Sequence, residues 1–255
     1  MGPRSLGMGQ IGTMQTDIWG LHNNVGALGW LKNGGIGIAF DHRYNLQALN
    51  QISFSAVSNP GKYGVVAVGA SRFGADLFNQ TRAMAGWAKT FGIASLGLQA
   101  QWYQVAATDF ATRHYFILNF GGLAQLTPKL HFGASISNLS QTKASEFQDE
   151  KIPTIAKAGL TFLPNNKVKL MAEVQKDLDL DALFRAGLEY EFVEKFFIRT
   201  GFTTQTQQIS GGFGAEWRNL VFNYAVARHP QLGWTNSLGI HYNFTGKPAE
   251  TNPSK

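Results

Sequence analysis

The chain has 255 residues, a formal net charge of +6 and no cysteine, and only 15% of its residues are charged against roughly 25% in ordinary soluble domains. The missing cysteines exclude disulfides, thiolate metal sites and cysteine nucleophiles. The lysines and arginines are scattered singly, without a basic stripe or stacking motif, which argues against nucleic acid as a partner. No apolar run reaches the ~18 residues that a membrane helix needs, so a bilayer protein with this sequence would have to be a closed β-barrel.

The first stretch, GPRSLGMGQIGTMQTDIWGLHNNVGALG, is rich in glycine and polar side chains and reads as irregular. No charged segment followed by an apolar one precedes Gly2, so a secretory signal is expected to be absent or already removed. Leu6, Met8, Ile11, Ile18, Trp19 and Leu21 argue against free exposure of this segment, whose plain alternative is a solvated periplasmic tail.

From Gly34 the text breaks into segments of alternating apolar and polar residues separated by turn residues, the pattern of membrane β-strands. Fourteen are predicted: 34–44, 49–58, 62–72, 80–90, 93–105, 112–124, 128–138, 153–163, 167–177, 182–193, 195–205, 207–217, 219–228 and 233–244. The second half alternates most clearly. In VKLMAEVQK the apolar set is Val168, Leu170, Ala172 and Val174; in FRAGLEYEF it is Phe184, Ala186, Leu188, Tyr190 and Phe192. The same text, 167 to 193, is rich in helix formers, so a helix competes there. Glycines set inside apolar alternation in GLTF, FIRTGF, FGAEW and LGIHYNF weigh against it, because glycine is costly in helices.

A soluble β-sandwich would also alternate, with its charged phase in water. Two features favour a barrel: the segments exceed the usual five or six residues, and aromatics (Trp87, Trp102, Tyr103, Tyr190, Phe192, Trp217, Trp234) gather near their ends. The turns after even-numbered segments (SNPG, QLTP, LPNN, VEK, WRN) are tight. Those after odd-numbered ones run longer, up to 140–151.

Charge against hydrocarbon costs roughly 2–4 kcal/mol for Arg or Lys at mid-bilayer, so the charged phase is expected to face inward. Lys157, Lys169, Glu173, Arg185, Glu189 and Arg199 share that phase, and a ladder of Glu173, Arg185, Glu189 and Arg199 across neighbouring strands is predicted. Structural neutralisation and a transport role both remain open for it. The six histidines show no metal-ligand spacing, His241 lies on the inward phase, and no phosphate-binding loop is present, so no catalytic residue, metal or cofactor is expected. Tyr242 and Phe244 close the last segment in alternate phase, much like the assembly signal of outer-membrane barrels, and the tail TGKPAETNPSK is polar.

Arg4-Ser5-Leu6-Gly7-Met8-Gly9 resembles the amino-terminal start of the PorV/PorQ branch of the FadL-like outer-membrane proteins, with Pro3 where alanine is usual. Asn24-Val25-Gly26-Ala27-Leu28 departs from that branch by lacking a proline. The likeness extends through AGLTFLPNNKVKLMAEVQKD, FRAGLEYEF, FFIRTGF, GGFGAEW, FNYAVARHP and SLGIHYNF.

The resemblance implies an all-β, fourteen-stranded antiparallel barrel in the bacterial outer membrane: a plug at 1–33 inside the lumen, the barrel at 34–244 and a polar tail at 245–255. Arg4, Leu6, Met8, Trp19, Asn23 and Asn24 would be the plug's lumen contacts. It also implies a non-enzymatic role, either as a subunit of a type IX secretion or surface-anchoring complex, with protein partners, or as a FadL-like channel for hydrophobic small molecules. Outer-membrane lipid is a partner under both.

Overall fold

The structure, a computed structural model, describes residues 2–142, 152–177 and 180–244. Fourteen strands follow in order: β1 Gly35–His42, β2 Gln51–Ser58, β3 Val65–Gly74, β4 Phe78–Phe91, β5 Ala94–Ala107, β6 Arg113–Thr127, β7 Leu130–Ser137, β8 Ile155–Asn165, β9 Val168–Asp177, β10 Leu183–Val193, β11 Phe196–Thr203, β12 Gln208–Trp217, β13 Leu220–His229 and β14 Gly233–Asn243. Each pairs antiparallel with its sequence neighbours, and β1 pairs with β14, Ile38 opposite Ile240, so the sheet closes with no free edge.

All fourteen predicted segments are strands, including 167–177 and 182–193, where a helix competed. There β9 and β10 pair through Arg185 opposite Glu173 and Glu189 opposite Lys169. Two-residue periodicity wins because only a strand puts Lys169, Glu173, Arg185 and Glu189 on one side. Five of the six connections on the side of the chain termini are two residues long, as periplasmic turns are. Most of the predicted long loop at 140–151, and the tail 245–255, lie outside the described residues.

The outward face is apolar: Ile38, Val68, Leu98, Phe116, Leu160, Phe184, Ile198, Phe213, Leu238 and Ile240 are all exposed on it. In a hydrocarbon solvent that exposure is burial. Trp87, Trp102, Tyr190, Phe192, Trp217 and Trp234 stand outward near strand ends as interfacial anchors. Tyr103 departs from this girdle; it alternates with Trp102 and lines the lumen. Placing arginine at Leu238, halfway along β14, is expected to cost about 2–4 kcal/mol, read as a lowered urea midpoint for folding into lipid vesicles.

The core lies inside the barrel. Two clusters of buried apolar residues form where the segment before β1 meets the inner wall, one around Ile18, Trp19, Leu21, Val25 and Leu28, the other around Met8, Ile11 and Met14.

Candidate functional site

The segment before β1 folds into two short helices, α1 Pro3–Gly7 and α2 Gly20–Asn23, and a 3-10 turn Val25–Trp30, all within the lumen. Proline at the first position of α1 needs no amide partner and fixes φ for the turn. Gly9 has φ +70, and a Cβ there would stand 2.9 Å from the Phe202 carbonyl, so only glycine fits. Its N–H donates to Ser210 Oγ (2.9 Å) and its carbonyl accepts from Thr203 Oγ1 (2.9 Å), tying α1 to β11 and β12.

Arg4 is the segment's main polar anchor. Its Nε and Nη2 donate to the two oxygens of Glu189 at 2.9 and 2.8 Å, and Nη1 lies 3.4 Å from Asp17. Burial acts to lower its pKa, yet the facing carboxylates Glu189 and Asp17 hold it above its ordinary value. Glu189 also accepts from Arg199 Nε at 2.7 Å and from Lys169 Nζ at 2.9 Å, while Arg199 Nη1 donates to Asn223 at 2.7 Å. One carboxylate thus serves three cations.

Beside it, Glu173 accepts from Arg185 Nη1 (2.8 Å) and from the backbone N–H groups of Gly12 (3.2 Å) and Thr13 (3.0 Å). The four strand residues predicted as a ladder are therefore buried as two pairs, Glu173 with Arg185 and Glu189 with Arg199, and each pair also grips the lumenal segment. Sequence reasoning missed Asp17, Lys169 and Asn223 as members. Lys169 and Asn223 carried one signal, their inward phase.

Leu6 lines the cavity described below, and Met8 and Trp19 are fully buried. Asn24 caps the 3-10 turn, its Oδ1 accepting from Gly26 N–H (3.0 Å) and its Nδ2 donating to the Thr13 (2.7 Å) and Gly122 (2.9 Å) carbonyls. Asn23 is different: neither atom of its buried side-chain amide has a partner among the described residues. Tyr242 and Phe244 project outward at the end of β14 with ring centroids 6.2 Å apart, and the Phe244 N–H donates to the Gly34 carbonyl at 2.8 Å. His241 faces the lumen, and among the described residues no group of three or more His, Asp or Glu could hold a metal.

Above the lumenal segment, toward the longer loops, is a cavity of about 820 Å³. Its floor includes Leu6, Gln10, Leu21, His22 and Asn23; its walls include Gln51, Phe73, Arg82, Gln101, Tyr103, Tyr115, Ile117 and Lys157. Burial pushes the His22 imidazole down to about 3, so it is neutral when its Nε2 meets the Phe54 carbonyl at 3.0 Å. The cavity extends to Phe120 and Ile136, the last paired residues of β6 and β7 at this end, where the ladder between those strands stops.

A closed fourteen-strand antiparallel barrel with an apolar exterior and its amino-terminal segment inside defines a bacterial outer-membrane protein. The fold is shared with solved monoaromatic hydrocarbon channels. The CymD monoaromatic hydrocarbon channel superposes with a TM-score of 0.70 over 96% of this chain and 98% of its own, at 15% identity. The P. putida toluene transporter TodX superposes with a TM-score of 0.69 over 97% and 99%, at 10% identity. The Acinetobacter baumannii outer membrane protein Omp33 follows at 0.55 over 83% of this chain and 98% of its own, with 7% identity. No protein-family model matches the chain, and no curated protein matches it by sequence.

Proposed function

We propose that this protein is a non-enzymatic outer-membrane channel that takes small hydrophobic molecules into the cavity above its plug and releases them sideways through the barrel wall. In this reading residues 1–33 are the plug and 34–244 the barrel. The observation that carries it is the cavity's reach to Phe120 and Ile136. There a ligand held above the plug stands one backbone away from the lipid phase, at the end of a strand ladder. Likeness to channels over nearly the whole chain supports the same class.

Membership of the PorV/PorQ branch and a place in type IX secretion rest on the sequence resemblance alone; a lumen filled by the plug suits that role as well. The two separate by experiment. Because the chain has no cysteine, Phe120→Cys with Ile136→Cys places a single disulfide across the seam between directly paired residues. Uptake of labelled toluene by cells displaying this variant is expected to fall to background on oxidation and to return on reduction. A matching bridge at Phe213 and Tyr224, on β12 and β13, is expected to leave uptake unchanged. Equal uptake in the oxidised and reduced seam variant refutes the route. A secretion role would instead retain other chains in a mild-detergent pull-down.

A further inference from the structure

The outer wall carries a second concavity, of about 550 Å³, which meets the channel seam at Phe120 and Ile136 and runs from there toward the short turns. On the lipid face of β6 to β8, five small residues in register (Gly122, Ala124, Ala134, Ala156 and Ala158) leave a trough between the larger side chains of Leu96, Phe132 and Val174. Its surface is almost wholly apolar. The trough starts near the short turns, where Ala94 opens β5 and Ala124 pairs with Phe132, and ends by Lys176 toward the loops.

The turns at its lower end are basic. Lys62, Lys89, Lys129 and Lys167 stand at the four turns on this rim between β2 and β9, and none has an ion pair among the described residues. The flanking sequence, 57–65, 87–96, 123–132 and 161–170, contains no aspartate or glutamate. Elsewhere on this rim acids intervene: Lys195 has Glu194 at 3.8 Å, with Glu191 and Glu216 close in sequence. Two of the lysines touch the trough's own elements. Lys129 lies in the turn from β6 to β7, the strands at its centre, and Lys89 points outward directly opposite Leu96 on its wall. Lys176, at the far end, already donates to the Leu180 carbonyl and is followed by Asp177.

We propose that this surface is a binding site for an anionic phospholipid of the periplasmic leaflet, one acyl chain lying in the β6–β8 trough and the phosphate-bearing headgroup held by Lys89 and Lys129. An apolar trough alone would take any chain; the acid-free lysines at its lower end select the negative headgroup. The site goes beyond the channel reading and stands without it.

The test uses the full chain in vesicles of phosphatidylethanolamine and phosphatidylglycerol in equal parts, extracted in mild detergent and weighed with its retained lipid by native mass spectrometry. Phosphatidylglycerol is expected to dominate the retained lipid. Lys89→Gln and Lys129→Gln are each expected to lower its retention on the order of fivefold, leaving phosphatidylethanolamine unchanged. Ala156→Trp, which fills the trough, should lower both, and Lys195→Gln neither. Heat-shifted gel mobility confirms that each variant is a closed barrel.

Equal retention of the two lipids by the unaltered chain overturns the site, as does equal loss with Lys195→Gln, which would mean diffuse surface charge. Lipopolysaccharide displacing phosphatidylglycerol from the trough in outer-membrane extracts also overturns it. Toluene uptake is read separately, so failure here leaves the channel proposal standing.

Discussion

Glu189→Ala is expected to destabilise the folded barrel by about 3–5 kcal/mol, because it leaves buried cations without their shared acid. Arg199 loses its carboxylate, Arg4 is left with Asp17 alone at 3.4 Å, and Lys169 loses its only ion pair among the described residues. Glu189 and the Arg199 side chain are 2% and 4% exposed, so water does little to compensate. Urea unfolding in lipid vesicles measures the effect. Glu189→Gln, which keeps the shape and hydrogen-bonding capacity but not the charge, should recover only part of it. Adding Arg199→Met to Glu189→Ala should recover more than Glu189→Gln does, since one stranded cation is then removed. If all three variants unfold at the parent's midpoint, the network does not hold the lumenal segment in place.

Excising residues 2–33 is expected to turn a sealed barrel into an open pore. The excised segment fills the cross-section with Met8, Ile11, Ile18, Trp19, Leu21 and Leu28, each almost fully buried. Burying one such side chain is worth about 1.5–3 kcal/mol, so the shortened barrel should also unfold at markedly lower urea. Planar-bilayer recording provides the decisive reading: steady conductance for the excised chain and none for the parent. Trp19→Ala, expected to cost about 3–5 kcal/mol, should fall between them, with brief openings. A parent that already conducts steadily would mean the segment does not seal the lumen.

Much of the fold was legible because a membrane strand writes its environment into each residue pair. Ile198 against Arg199, or Leu238 and Ile240 against His241, shows which side meets lipid with no knowledge of the neighbouring strand. The ladder of Glu173, Arg185, Glu189 and Arg199 could be guessed for the same reason, since consecutive hairpins set β9, β10 and β11 side by side. Tyr103 shows the limit of composition: an aromatic near a strand end looks like a membrane anchor until its phase is followed into the lumen.

The sequence by itself determined the strands, their inward and outward faces and the closure implied by so little surface for water, since all of these follow from a two-residue period and the cost of charge in hydrocarbon. Only the tertiary structure decided who meets whom across the lumen and along the wall. Arg4 finds Glu189 at a separation of 185 residues, and Asn24 finds the Gly122 carbonyl across 98. The trough of five small residues exists only once β6, β7 and β8 are in register. Contacts of this kind depend on how far each strand is staggered around the closed barrel, a quantity that no local pattern carries.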